Sequence, residues 1–132
     1  MHDDKIIHPE RTTATGAYSD GVLCDGWLYI SGQGALDLKT GKIVAESIEE
    51  QVRITMKNVG KILEAAGCTF DDLVKCTCHL QSIADFDAFD RIYAEHFPGK
   101  RPARTTVQSV LGEGMKVEID GIARKRRGEG ND

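Results

Sequence analysis

The chain contains no apolar run approaching the ~20 residues that a membrane-spanning helix requires, and the opening Met1-His2-Asp3-Asp4 has the character of neither a signal peptide nor a transit peptide. It therefore reads as an intracellular, cytoplasmic protein with no membrane partner. An excess of positive charge is also missing. A net charge of −4 argues against a protein whose main task is sequence-independent nucleic-acid binding, because that affinity comes from neutralising phosphates. Aromatic residues make up only 6% of the chain, so stacking platforms for single-stranded RNA are scarce too. The basic cluster Arg124-Lys125-Arg126-Arg127 is the exception to the acidic balance, and it runs into Gly128-Glu129-Gly130-Asn131-Asp132, a composition suited to a solvated tail.

Several chemistries lack their motifs. There is no phosphate-cradling Gly-x-x-x-x-Gly-Lys-Ser/Thr and no Gly-x-Gly-x-x-Gly, so a nucleotide cofactor is unsupported. No serine sits in a Gly-x-Ser-x-Gly elbow, and His2, His8, His79 and His96 are scattered, so no nucleophilic triad is expected. The four cysteines do not form a disulfide framework, and Cys76-Thr77-Cys78 lacks the C-x-x-C spacing of a zinc or redox site. No metal is predicted. At strand period, Val74, Cys76, Cys78 and Leu80 share one face and read as core.

What is present is the pattern of one soluble domain over residues 1–132, with about 126–132 a flexible tail. Asp4 to His8 is a candidate edge strand. Asp25-Gly26 between two apolar runs predicts a hairpin, since that dipeptide accepts the positive φ angles of a two-residue turn. Gly32-Gln33-Gly34 at its far end suits either a tight turn or close approach by a ligand or another chain. Ser47 to Glu50 spells a capping box, and Ile48, Val52, Met56, Val59, Leu63 and Ala66 follow at helical spacing up to Gly67. A strand is expected from Leu73 to Gln81 and a second helix from about Asp85 to Phe97, with Phe86, Phe89, Tyr93 and Phe97 on one face and Asp87, Asp90 and Arg91 elsewhere. The Arg104 strand, a turn at Gly112-Glu113-Gly114 and a final strand from Lys116 complete the chain. The strand-helix-strand steps imply some parallel pairing, and the hairpins make the sheet mixed.

Two helices can cover only one face of about six strands, so the other face needs a partner, and a homo-oligomer with polar clefts between its copies is the simplest one. Two polar residues stand out. Arg104, between Pro102 and a β-branched run, carries a planar fork that matches a carboxylate or phosphate, although a surface ion pair would use it equally well. Glu118, flanked by Val117 and Ile119, is either a solvent-facing position or an acid tuned by burial for proton transfer.

Taken together, the blocks Gly16-Ala17-Tyr18-Ser19, Ser31-Gly32-Gln33, Asn58 with Ile62 to Gly67, Asp72-Leu73-Val74-Lys75, Asp85-Phe86 through Tyr93, Pro102-Ala103-Arg104 and Val117-Glu118-Ile119 resemble the RidA/YjgF family of enamine and imine deaminases. That resemblance implies an α+β, chorismate-mutase-like subunit forming a homotrimer, with small imino or keto acids bound at the subunit interfaces and no cofactor. It implies that Arg104 clamps the substrate carboxylate, that Glu118 positions or activates water, and that Tyr18, Gly32 and Thr106 line the cleft, the last two through their backbones. The implied reaction is hydrolysis of a 2-aminoacrylate-type enamine or its 2-imino tautomer to a 2-keto acid and ammonia. A larger enamine such as 2-aminomuconate, RNA as an endoribonuclease substrate, and carboxylate binding without turnover are the alternatives. Ala17, Asp20, Gly34-Ala35, Thr106 and Asp90 depart from the family's common pattern; Asp90 stands where Asn is common.

Overall fold

The computed structural model describes residues 4–9 and 16–126, so the predicted tail lies almost wholly outside the described residues. The chain forms β1 (Lys5–Ile7), β2 (Gly21–Cys24), β3 (Trp27–Gln33), α1 (Ile48–Ala65), β4 (Leu73–Leu80), α2 (Phe86–Ala94), β5 (Ala103–Gln108) and β6 (Val117–Arg124). The six strands make one mixed sheet in the order β1-β2-β3-β6-β4-β5. None of the described helices is long and apolar enough to cross a membrane.

Local signals account for most of these elements. Asp25 (φ 54°) and Gly26 (φ 83°) both occupy the left-handed region, as a tight hairpin turn between β2 and β3 demands. At the start of α1 the Ser47 hydroxyl accepts the Glu50 backbone N–H at 3.1 Å. The Glu50 carboxylate in turn receives the Ser47 hydroxyl at 3.0 Å, with Glu49 adding charge to the first turn. Val52, Met56, Val59, Ile62, Leu63 and Ala66 are buried. They join Phe89, Ile92, Tyr93 and Phe97 around α2 and the inward residues of the sheet in a single core cluster, so both helices lie on one face.

Three expectations need correction. Val74 is 41% exposed, whereas Leu73 is 1% exposed, because the β4–β6 register shifts between Leu73 and Lys75. A bulge reverses the alternation there and puts Leu73 inside. The second helix is shorter than predicted: it ends at Ala94, and Glu95, His96 and Phe97 donate to the carbonyls three residues back, a tightened turn that still delivers Phe97 to the core. Finally, the turn at 112–114 does not close a hairpin. β5 pairs only with β4, in parallel, and β6 crosses back to insert antiparallel between β3 and β4.

Two buried polar side chains position the loops beside the sheet. Gln51 donates to the carbonyls of Ala45 (3.0 Å) and Gly114 (2.8 Å) and accepts the Lys116 N–H (2.8 Å). Asn58 donates to the carbonyls of Gly34 (3.0 Å) and Leu36 (2.9 Å). These amides supply hydrogen-bond partners to loop backbone beside the sheet, part of it buried.

Candidate active site

Arg104 lies on β5, the edge strand, in register with Cys76 of β4, whose side chain is buried on the helix-covered face. Its guanidinium therefore points towards α2. The guanidinium carbon sits 4.8 Å from the ring centre of Tyr93, 5.3 Å from Phe89 and 5.6 Å from Phe86. One nitrogen donates to Asp90 Oδ1 at 2.7 Å. Aromatic faces favour the cation without competing for its N–H groups, so the fork keeps donors for a ligand. The side chain is 21% exposed, and with Asp90, Arg91, Tyr93, Arg101 and Pro102 it lines a cavity of about 430 Å³ between α2 and β5.

Thr106 follows on the same side of β5, in register with Cys78, and its hydroxyl is buried without a hydrogen-bond partner in the described structure. Around these residues the interior resists ionisation. Burial pushes the Tyr93 phenol well up, and the adjoining Cys76 and Cys78 thiols up as well, with Arg104 offsetting only part of this. These groups form a neutral wall, not a set of nucleophiles.

Glu118 occupies the other face. Its neighbours Val117 and Ile119 are fully buried under the helices, so alternation turns Glu118 onto the uncovered side, in register with His79. It packs across Gly32 of β3, where an added Cβ would lie 2.5 Å from Glu118 Oε2. The glycine thus makes room for the Glu118 side chain of its own sheet. Tyr18, 46% exposed, belongs to the segment beside this end of β3: the Ser31 hydroxyl donates to the Ser19 carbonyl at 2.6 Å, and the Ser31 N–H to the Asp20 carbonyl at 2.9 Å.

The structure therefore gathers Arg104 with Thr106, and Glu118 with Gly32 beside the Tyr18 segment, but it does not bring the two groups together. They lie on opposite faces of the sheet, with β4 between the strands that carry Arg104 and Glu118.

Sequence reading missed two features. Asp90 is four residues after Phe86 and three before Tyr93, so helical spacing places it beside the aromatic stripe rather than away from it; that spacing was the available signal. The histidines are also not all isolated. His79 Nδ1 is 3.0 Å from Ser109 Oγ, and His79 Nε2 is 3.3 Å from Asp120 Oδ2, a constellation assembled from three strand regions. Among the described residues no group of three or more His, Cys, Asp or Glu side chains is arranged to hold a metal ion.

Comparison with known proteins gives this geometry a context. The profile of the family described as endoribonuclease L-PSP matches residues 9–125. The chain is 40% identical over 121 residues to the 2-iminobutanoate/2-iminopropanoate deaminase of Rattus norvegicus, covering 90% of this chain and 88% of that protein. Among solved structures, the Rid-family protein YyfA of Yersinia pestis superposes with a TM-score of 0.86 at 37% identity, covering 92% of this chain and 99% of that one. The E. coli protein TdcF, solved with bound serine, superposes with a TM-score of 0.83 at 31% identity over 92% of this chain and 99% of that one. With a matching profile along nearly all its length and relatives of this identity and coverage, the chain belongs to the RidA/YjgF family, also described as endoribonuclease L-PSP.

Proposed function

We propose that the protein is a hydrolytic deaminase of short 2-imino acids and their 2-enamine tautomers, releasing 2-keto acids and ammonia. The observation that carries this reading is Arg104: a permanent cation walled by three aromatic rings, at the edge of a cavity of about 430 Å³, sized for a small carboxylate. The deaminase name of the rat relative and the amino acid bound to TdcF support the same chemistry. The imine carbon is already electrophilic, so catalysis needs little beyond a held carboxylate, an oriented water and one proton transfer. In this scheme the carboxylate docks on Arg104 and water adds to C2. The resulting carbinolamine expels ammonia as its hydroxyl becomes the keto group.

Arg104 and Glu118 face opposite sides of one sheet, so a single copy does not offer both to one small molecule. We therefore assign the water-handling Glu118, with Tyr18 and Gly32, to a neighbouring copy in a homotrimer, each cleft combining the Arg104 and Thr106 edge of one subunit with the Glu118 face of the next. The uncovered sheet face favours such packing: it exposes Tyr29 (49%), Val74 (41%) and Val107 (38%) among polar residues.

The test generates 2-iminopropionate in situ with an amino-acid oxidase and follows its loss in competition with semicarbazide, for wild type and Arg104→Ala. Faster loss with wild type alone is the expected result; equal rates would overturn the reading. Tight carboxylate binding with no turnover would indicate a binding protein instead. An RNA-cleaving role has one feature in its favour, a groove of about 810 Å³ lined by Trp27, Lys100, Arg124, Lys125 and Arg126. Asp25, Asp71 and Asp72 line it too, and Arg126 is already paired with Asp72 at 2.9 Å, which leaves a poor surface for phosphates.

A further inference from the structure

We propose that Asp90 makes the Arg104 cavity select its ligands by the group on C2, favouring a protonated imine over the 2-keto acid product. This rests on the reading that Arg104 receives the substrate carboxylate. Asp90 spends one oxygen, Oδ1, on Arg104 at 2.7 Å, while its side chain is 48% exposed and lines the same cavity. Its second oxygen, Oδ2, has no partner among the described residues.

The clamp is therefore an internal ion pair, close to neutral, rather than a bare cation. A carboxylate binding the remaining donors of the guanidinium comes to rest within a few ångström of the Asp90 carboxylate. Whatever C2 carries then decides whether the two anions tolerate one another. A C2 iminium offers N–H donors and a positive charge to Oδ2. A C2 carbonyl offers only lone pairs, and leaves both the carboxylate repulsion and an unsatisfied acceptor in place. A site built to receive an N–H rejects the analogue lacking it more strongly than a plain apolar pocket would.

The selected form is also the reactive one, since protonation of the imine nitrogen makes C2 more electrophilic. The step balances as R–C(=NH2+)–COO− plus water giving R–CO–COO− plus NH4+: the C2–N bonds break, the C2=O bond forms from the water oxygen, and both water protons end on nitrogen. Discrimination thus assists turnover at both ends, by holding the zwitterion and releasing the keto acid. The other charges lining the cavity do not provide it. Arg91 is 3.5 Å from Glu49, and Arg101 is exposed; both attract substrate and product anions alike.

The experiment is isothermal titration of the full chain with two stable probes, 2-oxobutanoate and L-2-aminobutanoate, whose ammonium stands in for the iminium. Wild type, Asp90→Asn and Arg104→Ala are compared at one ionic strength. Asn is isosteric and the position is half exposed on a helix, so folding is retained. In wild type the amino acid binds more tightly than the keto acid. Asp90→Asn tightens the keto acid about tenfold and weakens the amino acid several-fold, the scale expected for one carboxylate a few ångström from another in a partly solvated cleft. A variant that shifts both probes equally, or neither, overturns the assignment. If Arg104→Ala leaves both affinities unchanged, the carboxylate-clamp reading fails and this one with it. If Arg104→Ala abolishes both while Asp90→Asn leaves their ratio intact, only the role of Asp90 is lost.

Discussion

On the helix-covered face of the sheet Leu28, Cys78, Leu80, Val117 and Ile119 are completely buried, whereas on the opposite face Tyr29, Val74 and Val107 stand between 38% and 49% exposed. The two faces belong to the same strands, and often to adjacent residues. The difference shows how one alternation both builds the core and divides the chemistry: it turns Arg104 towards the aromatic residues of α2 and Glu118 away from them. In the proposed assignment half of the site lies at the margin of the packed side and half on the bare side, and a second copy of the chain unites them.

The largest effect expected from breaking the covered face is on stability. Phe89 is fully buried and stacks against Tyr93 with ring centres 5.4 Å apart, so Phe89→Ala should cost about 3–5 kcal/mol in denaturant unfolding. An equally severe loss of activity is expected from dividing the site. Arg104→Ala and Glu118→Gln should each lower kcat/KM by roughly a hundredfold or more, a size usual for removing a positioned charged or proton-transfer group. Co-expressed in equal amounts, the two variants should recover about a quarter of the wild-type sites if random assembly joins Arg104 of one copy to Glu118 of the next. No recovery would mean that both residues act within a single copy.

A smaller change sharpens the comparison from the bare side. Val107→Asp places a charge on the uncovered face, and sedimentation should then show dissociation to a folded monomer, with the helical signal retained. If the wild type already sediments as a monomer, the packing assigned to that face is wrong. Smaller still is the N-cap of α1: Ser47→Ala should lower stability by about 1 kcal/mol without altering assembly or activity.

Legibility in the sequence followed the range of the interaction. The Asp25-Gly26 hairpin, the Ser47 cap and the α1 stripe were readable because turn geometry and helical periodicity are settled by residues a few positions apart. Val74 was misplaced because a bulge adds a residue without any local marker, and its cause lies in the pairing of β4 with β6, far along the chain. The place of β6 between β3 and β4 was hidden for the same reason. Arg104 and Glu118 could be singled out as an arginine and an acid in β-forming surroundings, and family resemblance gave them roles. Which way each faces depends on where the helices lie, and that depends on the whole sheet.

By itself, then, the sequence determined most of the elements with their caps and tight turns, most of the apolar core, and a short roster of polar residues with suitable chemistry, because each is written in local spacing and residue type. Only the tertiary structure decided that Asp90 occupies Arg104, that Gly32 makes room for Glu118, and that Arg104 and Glu118 lie on opposite faces. These are outcomes of strand order and register, which arise from contacts between distant parts of the chain and leave no periodic trace in any one stretch of it.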